Sequence, residues 1–252
     1  MQATVSIESE RLIVPDWPAP ENVKALISTR QGGCSQAPFK SFNLGDHVGD
    51  CFRHVSHNRQ CLLSAGEGLQ TIQWLKQVHG IAVCEAQGDD LVREADASFT
   101  QRAGLGCAVM TADCLPVLFC NQAGTRVAAA HAGWRGLLKG VLEATLARFD
   151  SDDRIFAYLG PAIGPQAFEV GLEVYDAFVQ INANWAQAFQ PSEQPAHWYA
   201  DLYALARMRL AEAGVSQVFG GDYCTYTDAN RFFSHRRDRV TGRMASLIWL
   251  AS

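Results

Sequence analysis

Five short apolar runs, IQWL, IAVCEA, GCAVMTA, PVLFC and VAAAHA, follow one another between residues 72 and 132. They are too short for stable helices, rich in Val, Ala and Cys, and bounded by Gly, Asn or Pro, which predicts buried strands. VKALISTR (23–30) predicts an earlier strand that runs into a Gly/Ser-rich loop over 31–50, and a helix follows from near Asp50 to Gly66. Beyond the runs, GLLKGVLEATLARF places Leu137, Leu138, Val141, Leu142, Leu146 and Phe149 at helical spacing. RIFAYLG, VSQVFGG and MASLIWL read as further strands, GPAIGP as a rigid turn, and 171–180 and 201–213 as helices. Strands come in groups with helices between them. The expected fold is therefore α/β or α+β with a mixed sheet rather than a regular βαβ alternation. Without a repeat, a low-complexity tract or a linker, residues 1–252 read as a single domain.

Charge and hydropathy narrow the partners. A net charge of −5 and a pI near 5.8 lack the basic footprint of a nucleic-acid binder. No stretch reaches the roughly 18 apolar residues of a membrane span, and MQATVSIESERLIVPDW shows no secretory signal. The expected location is cytoplasmic, and the eight scattered cysteines are expected to be free thiols.

Three residues of metal-ligand type stand at strand–loop junctions, where α/β proteins place their sites. His79 follows IQWLKQV, Cys114 sits in MTADCLPVLF, and His131 closes VAAAHA before GWRG. Two His and one Cys suit Zn²⁺, and three protein ligands leave a fourth position open, as catalytic zinc requires. Asp113, beside the cysteine, is the candidate acid/base. The spacing also fits a Cys114 nucleophile with His131 as its base, and a buried Cys is commonly no more than a small hydrophobe. Arg30, Arg59, Arg135 and Arg236, with Asn43 in the 31–50 loop, are the substrate-binding candidates, since Arg suits bidentate phosphate binding. Loop arginines taken singly are more often solvated or salt-bridged. There is no GxGxxG loop and no P-loop. HRRD (235–238) has no kinase loops to accompany it.

Taken in order, STRQGGCSQAPFKSFNLGDHVGD, WLKQVHG, ADASFT, MTADCLPVLF, AHAGWRG, GPAIGPQAFEVG and CTYTDANRFFSHRRDRVTGRMASLIWL resemble the YfiH-like family, also labelled multicopper polyphenol oxidoreductase or laccase-domain proteins. The resemblance implies a single-domain, layered α/β/β/α fold with mixed β-sheets, similar to Cys–His deamidating toxins. It implies zinc on His79, Cys114 and His131. It further implies a purine nucleoside phosphorylase, acting with phosphate on adenosine, inosine, guanosine or methylthioadenosine, and an adenosine deaminase. An alternative within the family is a peptidoglycan-editing amidase that removes serine from muropeptide precursors. The laccase label fits the residues poorly. Seven histidines and no HxH pair are a thin supply for a blue-copper centre plus a trinuclear cluster, although Cu²⁺ can occupy the same His/Cys site.

Overall fold

The computed structural model of the protein describes residues 11–251. The first ten residues of the N-terminal segment read above for a signal lie outside the described residues. The chain opens with β1 (Leu12–Ile13) and β2 (Val23–Ser28), then helix α1 (Phe52–Ala65). Short strands follow: β3 (Thr71–Gln73), β4 (Leu75–Lys76), β5 (Val83–Glu85), β6 (Arg93–Glu94) and β7 (Ala97–Thr100). The long central strands are β8 (Leu105–Thr111), β9 (Leu115–Asn121) and β10 (Val127–Ala132), with helices α2 (Trp134–Lys139) and α3 (Val141–Leu146) after them. Next come β11 (Ile155–Leu159), β12 (Glu169–Gly171), α4 (Leu172–Val179), β13 (Phe189–Pro191), β14 (His197–Ala200) and α5 (Leu202–Glu212). The chain closes with β15 (Gln217–Gly220), the single turn α6 (His235–Asp238) and β16 (Met244–Leu250).

Two mixed sheets carry the architecture. One has the order β1-β2-β16-β8-β3, the other β15-β11-β9-β10-β7-β5. In the first, β3 runs parallel to β8 and the other pairings are antiparallel. In the second, β11–β15 and β5–β7 are parallel, while β9, β10 and β7 pair antiparallel.

Side-chain alternation explains the continuous apolar runs. Along β9, Leu118 and Cys120 point into the layer between the sheets, with Ile27, Val109, Ala129 and Ile248. Leu115, Val117 and Phe119 point the other way, onto Leu137, Val141, Leu142 and Leu205 of the helices. On the outer face of the five-stranded sheet, Leu26, Leu247 and Trp249 meet Leu62 of α1 and Phe42 and Leu44 of the preceding loop. Both faces of each sheet are covered, so a strand has no polar face to show. This is the expected α/β/β/α layering. Among the described residues no helix is long and apolar enough to cross a membrane.

Three local departures from the expected elements have physical causes. The helix expected over 136–149 breaks at Gly140, whose φ of +100° ends α2; its N–H donates to the carbonyls of Gly136 and Leu137. The break lets Leu137, Val141 and Leu142 all bury against the sheet. IQWL is split at Trp74, where β3 leaves the large sheet and β4 pairs with β6 instead. A three-stranded sheet, β12-β14-β13, has no counterpart in the sequence reading, because EVG, FQP and HWYA are short and half polar.

Gly140→Ala places a side chain in the left-handed region, which costs about 1–2 kcal/mol. Urea denaturation is expected to show a loss of that size. A variant as stable as the parent would mean that the break is not enforced by Gly140.

Candidate metal centre

The junction between the two sheets builds the site. β8 belongs to the five-stranded sheet and β9 to the six-stranded one, and residues 112–114 carry the chain across. Cys114 therefore sits on the crossing itself. β9 pairs with β10 in a register that sets His131 opposite Pro116, which brings the imidazole alongside the cysteine. His79 arrives from a loop that is clipped to β8. Gln77 Nε2 donates to the Met110 carbonyl and Met110 N donates to Gln77 Oε1, both at 2.8 Å.

The ligand-type atoms of His79, Cys114 and His131 lie within 4.8 Å of one another, and among the described residues they are the one such group able to hold a metal. Cys114 Sγ is 3.7 Å from His79 Nε2. The two imidazoles meet edge to face at 4.8 Å between centroids. Gly133 keeps the space open: a Cβ there would lie 2.8 Å from His79 Cδ2 and 3.0 Å from the Cys114 sulfur. His131 is buried, Cys114 half-buried and His79 exposed, so the group opens to solvent on the His79 side.

Asp96 organises the centre, and sequence reasoning passed over it. It is fully buried and precedes β7, whose Ala97 pairs with Ala130, so it lies beside His131. One oxygen accepts from His131 Nδ1 at 2.8 Å. The carboxylate also accepts the backbone N–H groups of Val78 at 3.2 Å, His79 at 2.9 Å and Gly80 at 2.6 Å. Converging amides of this kind form an anion nest. His79 adopts φ +59° within it. One carboxylate thus engages Nδ1 of His131, leaving Nε2 as the ring nitrogen able to meet a metal once deprotonated, and holds the turn that presents His79. The signal was present in ADASFT, as an acidic residue entering an apolar strand.

Charges in the group support one another. Burial resists ionisation of the Cys114 thiol, but the charge on His131 and hydrogen bonds from both histidines bring it down to about 6. Burial likewise resists charge on His131, and the Cys114 thiolate with Asp96 raises it to about 9. A thiolate is the form of cysteine that binds metals. Burial pushes the Asp96 carboxyl up, yet its hydrogen bonds with His131 and Gly80 hold it below the usual carboxylate range.

The structure separates the other candidates. Asp113, at φ +91°, spends both oxygens on anchoring: Oδ1 accepts from the Thr225 hydroxyl at 2.7 Å and Oδ2 from Arg236 N at 2.6 Å. Asn43 is buried and satisfied internally by Gly45, Asp50 and Arg243 N. Arg30 donates to the carbonyls of Lys40 and Ala229. Arg59 donates to the Leu44 carbonyl, pairs with Asp46 and lies over Trp74. Arg135 stacks on the Trp134 ring. Of the expected arginines, Arg236 lines a cavity of about 150 Å³ that includes Asp113 and Cys114. Trp134, Ile163, Phe168 and Leu202 wall it, and His235 and Arg239 complete it.

Asp96→Asn removes the charge that orients both histidines. Metal affinity is expected to fall about 10- to 100-fold, read by competition with a chromogenic chelator. Unchanged affinity in a folded variant would remove Asp96 from the centre.

Residues 24–251 match the family described as multi-copper polyphenol oxidoreductase laccase. The chain is 56% identical over 242 residues to the purine nucleoside phosphorylase YfiH of Escherichia coli, covering 95% of this chain and 99% of that one. It is 54% identical to a purine nucleoside phosphorylase of Pseudomonas aeruginosa, with 94% and 98% covered. In structure it is similar to a Neisseria meningitidis protein, with a TM-score of 0.92 and 50% identity over 96% of this chain and 100% of that one. It is also similar to YlmD from Geobacillus stearothermophilus, with a TM-score of 0.81 and 32% identity over 93% and 94%. With the whole of its layered core matched in this way, the chain belongs to the multi-copper polyphenol oxidoreductase laccase family that includes the YfiH proteins.

Proposed function

We propose that the protein is a zinc-dependent purine nucleoside enzyme of the cytoplasm. It would phosphorolyse adenosine, inosine, guanosine or methylthioadenosine and also deaminate adenosine. The observation that carries the reading is the open three-residue donor group beside a cavity with both apolar walls and cationic side chains. The names of its relatives in Escherichia coli and Pseudomonas aeruginosa point to the same substrate class.

The residues fit a zinc ion. Two imidazoles and a thiolate form its preferred borderline-soft donor set, Asp96 orients His131 as an outer-shell carboxylate does, and Gly133 leaves the approach clear. His79, Cys114 and His131 would hold it, and when bound zinc supplies a Lewis acid that activates water near neutral pH.

The chain's own residues do the rest. Trp134 and Phe168, each with an arginine over one face of its ring, bring aromatic surface to the cavity for a flat purine, with Ile163 and Leu202 excluding water around it. In phosphorolysis a phosphate oxygen forms a bond to C1′ of the ribose while the C1′–N9 bond breaks. The electron pair leaves with the base, which takes up a proton. The cation side of the cavity, with Arg236 on it, would stabilise the incoming anion. Asp113 keeps that side in place, because it ties Arg236 and Thr225 to the sheet crossing.

The test is incubation of metal-quantified protein with adenosine, with and without phosphate, and chromatography of the products. Adenine with ribose 1-phosphate is expected only when phosphate is present, and inosine is expected without it. No turnover from a zinc-loaded sample would overturn the reading, and serine release from a muropeptide would put an amidase in its place. His79→Ala, Cys114→Ala and His131→Ala are each expected to lose about 100-fold or more in activity. Zinc is expected to protect Cys114 from iodoacetamide; alkylation at the same rate with zinc bound would favour a free cysteine nucleophile.

A further inference from the structure

Arg239 is held in an unusual way beside the candidate centre. It follows α6, and its backbone has φ +61° and ψ −67°. Val240 N donates to the Asp238 carbonyl at 2.7 Å across it. This is a γ-turn of the rare, strained hand, in which a side chain at the central position is crowded. Glycine would sit there at no such cost, yet the residue is an arginine. The rest of the segment is well anchored. Arg237 donates to the carbonyls of Thr225, Tyr226 and Phe232, and Arg239 N donates to the His235 carbonyl at 2.9 Å.

The side chain itself is uncommitted. Arg239 is exposed, and among the described residues it has no ion pair and no side-chain hydrogen bond, although it lines the same cavity as Cys114, His235 and Arg236. Arg236 uses one guanidinium nitrogen on the Glu169 carbonyl at 2.8 Å; no other side-chain hydrogen bond and no ion pair of it occurs among the described residues. Two guanidinium groups without carboxylate partners among the described residues thus line one cavity with an imidazole. Trp134, Ile163, Phe168 and Leu202 line the same cavity, and the Arg236 guanidinium lies over the Phe168 ring, 5.3 Å from its centroid. Strained backbone persists only where the surrounding structure holds it, and such residues cluster at active sites and ligand clamps.

We propose that Arg239, with Arg236 and His235, forms the binding subsite for a tetrahedral oxyanion, and that the strained turn exists to aim Arg239 into the cavity. The ligand chemistry is a phosphate dianion, which two forked guanidinium groups bind with several parallel N–H donors. The assignment rests on the nucleoside reading only for the role of that anion as co-substrate; the binding itself is independent of it.

Calorimetry with inorganic phosphate, and in a second arm with adenosine 5′-monophosphate, distinguishes a free anion from a phosphoester. Arg239→Gln is expected to weaken whichever ligand binds by about 10- to 100-fold, and Arg239→Lys to recover part of the loss. In turnover, the KM for phosphate is expected to rise by a similar factor while the KM for adenosine changes less than about twofold. Arg239→Gly separates aim from architecture: it is expected to melt at or above the parent's Tm and still lose phosphate binding. Unchanged phosphate affinity in Arg239→Gln, or a Tm lowered in Arg239→Gly with affinity kept, would overturn the assignment. Phosphate binding by a parent protein that turns over no nucleoside would instead sink the purine reading and leave the subsite standing.

Discussion

The buried carboxylate of Asp96 is the interaction on which the centre depends. A charge with no exposed surface is tolerated only when hydrogen bonds replace the lost water. Here four donors do so: three consecutive amides from the His79 turn and the Nδ1 of His131. Each donor belongs to a segment that must be placed for the donor group to exist. The loop that bears His79 is therefore not free to adopt another shape without leaving Asp96 unpaired. The positive φ of His79 follows from the same demand, since only a tight turn can aim three successive N–H groups at one carboxylate.

The second constraint is the crossing between the sheets. A strand that ends in one sheet and resumes in the next must turn within three residues, and Asp113 takes the strained conformation that this requires. Its side chain then ties the crossing to Thr225 and to the backbone of Arg236. One residue thus couples the position of Cys114 to the cationic wall of the cavity. Of the five non-glycine residues with positive φ among the described residues, His79, Asp113 and Arg239 surround this site. Strain concentrated in one region is the usual mark of a site whose geometry was held against local preference.

This distribution explains what the sequence made legible. The long strands were plain, because β8, β9, β10 and β16 are buried on both faces and read as unbroken apolar runs. His79, Cys114 and His131 were legible as ligand types at strand ends, and the register of β9 and β10 brings two of them together. The arginines were not legible as a set. Whether a guanidinium is spent on a carbonyl, as in Arg30, or stays uncommitted, as in Arg239, depends on chain segments about 200 residues away or on one backbone angle. Asn43 looked like a loop residue open to ligand, yet it is consumed in tying its own loop to Arg243. Asp96 was hidden for the opposite reason: a single carboxylate before a strand gains meaning only when the neighbouring strand supplies a histidine.

The family's description invokes copper and several metal ions, and the histidines bear on that directly. A multicopper oxidase needs a trinuclear cluster in addition to its blue-copper ligand set. Outside the candidate centre, His47 lies beside Asp46, His54 near Asp50, His57 against Cys61, and His197 against the Pro195 carbonyl. His235 lines the cavity but contributes to no further donor group among the described residues. Among the described residues one group is thus able to hold a metal ion. Divalent copper binds nitrogen and sulfur donors more tightly than zinc, so the same three side chains would take up copper wherever it is supplied freely. A site with two histidines and a thiolate can therefore yield copper-loaded protein without any of the electron relay that oxidase chemistry demands. The donor group leaves the identity of the metal to supply, and the cavity beside it combines apolar and aromatic side chains with the cationic Arg236 and Arg239.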